Sequence, residues 1–157
     1  MKTLIIYKSY HHMSTEKIAK AMAETLNAKL GKVDDAKPED LAEYDLIGFG
    51  SGIYIYKHHK DLIEFIENMP SMNDKKVFIF STSGNYRERH HNLIKEKLNE
   101  KGCKIIGDFT CFGEFRPLGF NLNVNGPLAF IFGKNKGHPD EKDLENAQEF
   151  AKSLLNE

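Results

Sequence analysis

The sequence predicts an α/β domain built on a doubly wound, five-stranded parallel sheet with helices on both faces. Three observations carry that expectation. Short apolar runs alternate with stretches of helical periodicity five times along the chain, the pattern of repeated βα units. The first run, Leu4-Ile5-Ile6-Tyr7, is continuously apolar, as in a strand covered on both faces. At 157 residues, 40% apolar and 29% charged, the chain suits one domain with a real core and no disordered tail.

The elements follow in order. After the first strand, the polar loop Lys8–Met13 leads to Ser14-Thr15-Glu16-Lys17, which opens a helix. Ile18, Met22, Leu26 and Leu30 recur every four residues with alanines between them, and Gly31 is the expected stop. A short second strand fits Lys32–Asp35, and Pro38-Glu39-Asp40-Leu41 resembles a first helical turn. The third strand, Tyr44–Gly50, runs into Ser51-Gly52, and a helix fits His59–Asn68 with Leu62, Ile63, Phe65 and Ile66 on its apolar side. Lys76–Phe80 is the fourth strand and Ser81–Asn85 its loop. Tyr86–Lys101 reads as a helix closed by Gly102, Cys103–Gly107 begins the last strand, and a final helix starts near Pro139-Asp140. The stretch Thr110–His138, rich in Gly, Asn and Phe, has no clear period, and a loop of that length in a compact domain is either functional or mis-assigned.

Composition narrows the function. The 22 basic and 23 acidic side chains give a formal charge of -1, which argues against a nucleic-acid surface and against a strongly acidic carrier. Cys103 and Cys111 sit in a stretch read as extended, roughly 26 Å apart and out of disulfide reach. Reduced thiols, no signal peptide and no membrane span lead to the expectation of a cytoplasmic protein.

In an open parallel sheet, ligands bind beyond the carboxyl ends of the strands, at the switch point in strand order. Three segments emerge there. Lys8–Thr15 ends at a helix start, where backbone N–H groups and the helix dipole attract a phosphate. Ser9, Ser14 and Thr15 add hydroxyls, and His11 and His12 add ring donors. Helix capping explains one such hydroxyl but not three flanking a histidine pair. In the second segment, Gly50, Ser51 and Gly52 allow close approach of a flat ligand, and Ile53, Tyr54 and Tyr56 offer faces for stacking. The third, Ser81-Thr82-Ser83-Gly84-Asn85, supplies hydrogen-bonding groups for the polar edge of the same ring. The pairs His58-His59 and His90-His91 read as solvated or capping residues rather than zinc ligands, and His58 is placed to set a proton equilibrium near neutral pH.

These residues resemble the flavodoxin family over nearly the whole chain. The resemblance rests on the Ser-x-His-His loop, on Tyr44-Asp45-Leu46-Ile47-Gly48-Phe49-Gly50-Ser51 and on the Ser81–Asn85 loop. The segment Ile53–Phe65 is also similar to flavodoxin-type protoporphyrinogen oxidases. The resemblance implies strand order 2-1-3-4-5 and noncovalent FMN. Its phosphate would lie on Ser9, His11, His12, Met13, Ser14 and Thr15. Its ring would lie between Ser51, Gly52, Ile53, Tyr54, Ile55 and Tyr56 on one side and Ser81, Thr82, Ser83, Gly84 and Asn85 on the other. One departure is specific: Met13 stands where the family loop has Gly, so a positive φ there would be strained.

The leading expectation is an FMN redox protein carrying electrons between redox partner proteins. The alternatives are a small FMN-dependent oxidoreductase acting on a quinone or other small redox substrate, with Thr110–His138 shaping its pocket, and a flavodoxin-like domain with weak or no FMN binding. A phosphoacceptor receiver is excluded because Lys8-Ser9 and Gly50-Ser51 occupy the places its acidic residues need. A low-molecular-weight phosphatase is excluded because no Cys-x5-Arg stands in the first loop.

Overall fold

The computed structural model describes residues 1–10, 13–85, 87–114 and 135–157. Five strands lie parallel: β1 (Thr3–Lys8), β2 (Lys29–Lys32), β3 (Leu46–Tyr54), β5 (Lys76–Ser83) and β6 (Lys104–Phe112), in the order β2-β1-β3-β5-β6. A two-residue strand β4 (Lys57–His58) folds back antiparallel on the end of β3. Leaving β4 aside, this is the doubly wound sheet expected, with its switch point between β1 and β3.

Strand alternation divides the core in two. Leu4 and Ile6, Ile47 and Phe49, and Val77 and Ile79 meet α2 (Lys60–Asn68) and α3 (Asn92–Glu100) through Leu62, Phe65, Ile66, Ile94 and Leu98. Ile5, Tyr7, Leu46, Phe78 and Phe80 face the other way, onto Ile18, Met22 and Leu26 of α1 (Ser14–Leu26) and Ala147 and Ala151 of α4 (Glu141–Ser153). Gly48 and Gly50 of β3 stand in register with Phe78 and Phe80 of β5 on this second face. A Cβ on either glycine would land on the ring of its neighbour. Gly50 thus makes room for Phe80, not for a ligand.

Several boundaries differ from the sequence expectation, each for a local reason. The helix α1 stops at Leu26 rather than at Leu30. Asn27 takes the left-handed conformation (φ 48) and the Ala28 N–H donates to the Ala23 carbonyl at 2.9 Å, a Schellman closure. Leu30, assigned to that helix by periodicity, and Gly31, read as its stop, lie in β2 opposite Ile5 and Ile6, so β2 precedes the expected Lys32–Asp35. The Pro38–Glu43 turn is a 3-10 helix. The segment expected as the helix Tyr86–Lys101 is a 3-10 turn over Glu88–His91 followed by α3; Tyr86 lies outside the described residues. Gly102 (φ 75) does end this helix, with the Cys103 N–H donating to the Leu98 carbonyl at 3.0 Å. Helix α4 begins as expected after Asp140, which forms a capping box with Asp143. No helix among the described residues is long and apolar enough to cross a membrane.

The largest shift concerns the three candidate loops. Ser51, Gly52, Ile53 and Tyr54 belong to β3, and Ser81, Thr82 and Ser83 belong to β5, with Ser51 opposite Ser81 and Gly52 opposite Thr82. Small polar residues read as turns here because they lack side-chain signals for strand, yet the ladder between two central strands continues through them. β6 likewise runs to Phe112, into the stretch expected to be irregular. Of the Thr110–His138 stretch, positions 115–134 lie outside the described residues.

Candidate functional site

A cleft opens at the carboxyl ends of β1, β3 and β5. It is lined by Tyr10, Ser14, Thr15, Gly52, Ile53, Tyr54, Thr82, Ser83, Gly84, Gly113 and Glu114. Nine of these belong to the three segments singled out from the sequence, Tyr10 among them although it was not a named candidate; Gly113 and Glu114 do not. Gly113 is legible only in three dimensions: a Cβ there would lie 3.1 Å from Thr82 Cβ and 3.4 Å from Ser14 Cβ, so the bare backbone forms one wall. Ser9, Met13, Ser51, Ile55, Tyr56, Ser81 and Asn85 do not line the cleft, and His11 and His12 lie outside the described residues.

The first segment has the chemistry of an anion site. Met13 occupies the N-cap of α1 and its side chain caps nothing, which leaves the first-turn N–H groups without a side-chain acceptor. Ser14 and Thr15 sit inside the helix rather than capping it, and Thr15 Oγ1 lies 2.9 Å from Thr82 Oγ1, tying the helix start to β5. Ser9 Oγ is buried with no partner. An orphaned hydroxyl beside an uncapped 13-residue helix fits a phosphate group. The Glu16 carboxylate of this turn is paired with Lys20 at 2.7 Å.

Met13 has φ 54 and ψ 21, the left-handed backbone that would strain it. A non-glycine residue there costs roughly 1–2 kcal/mol, partly offset because glycine loses more chain entropy on folding. Met13→Gly is therefore expected to raise Tm by about 1–3 °C, while Met13→Val, β-branched and worse in this conformation, lowers it. Thermal melts of the two variants check this, and a lower Tm for the glycine variant would contradict it.

The second segment is a hairpin, not a loop. Ile53 pairs with His58 and Tyr54 with Lys57 across the two-residue turn Ile55-Tyr56, whose φ values are 48 and 65. Positive φ at both positions is the turn that favours Asn-Gly, and a β-branched residue there is an outlier. Tyr54 stands edge-on to His59 with ring centroids 5.1 Å apart, and Tyr10 stacks on His59 at 6.2 Å. Tyr10 and Tyr54 line the cleft, and His59 packs against both. Burial raises the Tyr54 hydroxyl pKa above its ordinary value, so the ring is neutral there. His59 caps α2, its Nδ1 accepting from the Asp61 N–H at 3.1 Å. Lys8, at the end of β1, braces the same corner through Asp34 at 2.7 Å and Asp61 at 2.9 Å.

Beneath the cleft, on the α2/α3 face, lies a buried polar network that sequence reading missed. The Ser51 hydroxyl donates to the Gly52 carbonyl (2.7 Å) and accepts from the His59 N–H (2.9 Å). With that proton spent, His58 Nδ1, 3.2 Å away, carries the hydrogen toward Ser51. His58 Nε2 is buried with no partner, and the His91 ring stands 5.0 Å off. His91 in turn holds Ser81 Oγ on Nε2 (2.7 Å) and the Asp108 carboxylate on Nδ1 (3.1 Å), and Lys95 pairs with Asp108 at 2.6 Å. The connectivity is that of a Ser-His-Asp relay. Ser81, however, is only 1% exposed and its hydroxyl also meets Thr110 at 3.1 Å, so no substrate atom reaches it.

The expectation that His58 titrates near neutrality is corrected. Burial, reinforced by His91 and His90, pushes its pKa down to about 3, and the ring is neutral throughout the physiological range. His90 and His91 are buried as well, not solvated, and burial lowers both. Nothing in the sequence marks these histidines as interior. The signal is the pairing of Ser51 and Ser81, whose side chains point away from the cleft toward the rings, while Thr82 points toward α1.

The chain matches the family model for a flavodoxin domain over residues 4–117. An uncharacterised protein of Methanocaldococcus jannaschii is 45% identical, the match covering 99% of each chain. Among solved structures, oxidised flavodoxin 2 from Bacillus cereus superposes with a TM-score of 0.71 at 21% identity, covering 99% of each chain. Two-electron reduced flavodoxin from Megasphaera elsdenii gives 0.65 at 19% identity, covering 96% of this chain and 98% of that one.

Proposed function

Because the chain belongs to the flavodoxin domain family, we propose that it binds FMN noncovalently in the cleft between Thr15, Tyr54 and Thr82 and carries electrons between redox partner proteins in the cytoplasm. The observation that carries the reading is the anion site: Ser9 Oγ buried without a partner beside an uncapped helix start, at the switch point of the sheet. In this reading the first-turn backbone of α1, Ser9, Ser14 and Thr15 hold the phosphate. Gly52, Ile53, Tyr54, Ser83 and Gly84 hold the ring. The bound flavin supplies one- and two-electron chemistry that no side chain provides. The protein's part is to orient the ring against the Tyr54 wall and keep water from its buried face. Both cysteines are free thiols, in keeping with a reducing compartment.

Fluorescence titration tests this directly. FMN is expected to quench on binding, and riboflavin, lacking the phosphate, to bind at least tenfold more weakly, a difference of about 1.4 kcal/mol. Thr15→Val, which removes the hydroxyl shared with Thr82, is expected to weaken FMN by about fivefold and leave riboflavin unchanged. Absence of quenching at high protein concentration overturns the proposal. Equal affinity for the two flavins overturns the assignment of the phosphate to α1. Sustained turnover of quinones with NAD(P)H would replace the carrier with an oxidoreductase.

A further inference from the structure

We propose that the Ile55-Tyr56 turn and the cations around it form the docking site for an acidic protein partner. The inference rests on the flavin reading only in placing a redox edge beside this turn.

The exposed apolar side chains of the protein are not scattered. Among the described residues, apart from Met1 and Leu155 near the chain ends, they are Tyr10, Met13, Tyr54, Ile55, Tyr56 and Phe112, all at the carboxyl end of the sheet. Ile55 is the extreme case, 89% exposed, with Tyr56 at 61%. Tyr56 meets the His90 ring at 6.0 Å, but turn chemistry accounts for neither residue. Ile55 buries almost nothing, and both residues hold a backbone that Asn-Gly would adopt without strain. An apolar pair retained against local preference at a hairpin tip is a surface awaiting a partner.

The charge around the tip specifies which partner. Lys57 follows the turn, Lys60 opens α2, and Arg87 and Arg89 flank it from the segment before α3; all four are exposed. Arg89 lies over the Tyr56 ring at 5.1 Å, which holds a cation on the aromatic face. None of the four is engaged in an ion pair among the described residues. The neighbouring carboxylates are already taken, Asp61 by Lys8 and Asp108 by Lys95, leaving Glu88 as the acid within the collar. Along α2 the basic face ends where Glu64 and Glu67 join Lys57 and Lys60 on the rim of the next groove. A net positive collar on a chain of formal charge -1 steers acidic proteins and repels basic ones.

The test is an amide-shift NMR titration of the isotope-labelled chain, with and without FMN, against an acidic plant-type ferredoxin and against basic cytochrome c. The ferredoxin is expected to shift residues 54–60 and 87–91, with affinity falling by about tenfold as salt rises to about 0.2 M. The triple variant Lys57→Glu, Arg87→Glu, Arg89→Glu is expected to lose at least about tenfold in ferredoxin affinity and to gain binding of cytochrome c. Ile55→Asn with Tyr56→Gly installs the sequence the turn prefers. Its Tm is expected to rise while its ferredoxin affinity falls by about tenfold, a split that a purely structural turn would not give. Shifts mapping elsewhere, preference of the unaltered chain for cytochrome c, or sedimentation with phosphatidylglycerol vesicles without ferredoxin shifts would each overturn the proposal. FMN quenching is read separately. Quenching without ferredoxin shifts removes the docking site and spares the flavin, whereas shifts without quenching support the docking site and remove the flavin.

Discussion

Gly50→Ala is expected to destabilise the protein by about 3 kcal/mol, a fall of roughly 6–12 °C in Tm for a chain of this size. Gly50 is a central residue of β3, in register with Phe80 on the adjacent strand, and a Cβ there lands on the Phe80 ring. Phe80 is fully buried among Tyr7, Phe78 and the residues of α1, so the ring cannot swing aside. The paired change Gly50→Ala with Phe80→Leu removes the clash and is expected to recover about 1 kcal/mol or more relative to the sum of the single changes. Urea unfolding of the four proteins in this cycle measures it. A Gly50→Ala variant within about 0.5 kcal/mol of the parent, or purely additive effects, would show that the ring does not depend on the missing side chain.

Acid is expected to unfold this protein early, before its carboxylates protonate. His58 has its pKa lowered from 6.5 to about 3 by burial. Below pH 6.5 the unfolded chain takes up a proton at this ring and the native state refuses it. The stabilisation His58 carries is therefore whole above pH 6.5 and is lost as pH falls toward 3. The slope approaches about 1.4 kcal/mol per pH unit from this residue alone, and the full window is worth roughly 5 kcal/mol. His59, His90 and His91 are lowered as well and act with the same sign. Between pH 6.5 and about 5.5, well above the ordinary carboxylate range, the slope belongs to the histidines. Urea midpoints across that range should fall steadily, and His58→Gln, which keeps a polar group for Ser51 but cannot titrate, should flatten the dependence. A pH-independent midpoint, or an unchanged slope in the glutamine variant, would mean that His58 accepts its proton in the folded protein.

Both predictions rest on features that one-dimensional reading passes over, and the reason is the same. Gly-Phe-Gly-Ser-Gly reads as the end of a strand and a loop, because glycine and serine carry no apolar signal. In the fold it is a strand whose Gly48 and Gly50 are filled from next door by Phe78 and Phe80, and whose Ser51 anchors a buried histidine. Likewise Leu30 continues a helical period by coincidence, while Asn27 ends α1 through a backbone conformation that periodicity does not encode. The cleft residues were more legible. Ser14, Thr15, Gly52, Tyr54 and Thr82 emerge from strand ends that the apolar runs had located, and the switch-point rule needs little more than those ends. Gly113 and Tyr10 escaped because their roles are backbone proximity and ring stacking across the sheet.

By itself, then, the sequence determined the class of fold, the alternation of its strands and helices and the anomaly at Met13. Each is set by local chemistry: apolar period and a side chain where glycine is usual. The tertiary structure alone decided which hydroxyls face the cleft and which turn inward to His58 and His91. It also decided that Ile55 and Tyr56 stand out at a strained hairpin tip, and which cations surround them. Those outcomes depend on strand register, where a one-residue step reverses the face of every side chain, and register is fixed by neighbours distant in the chain.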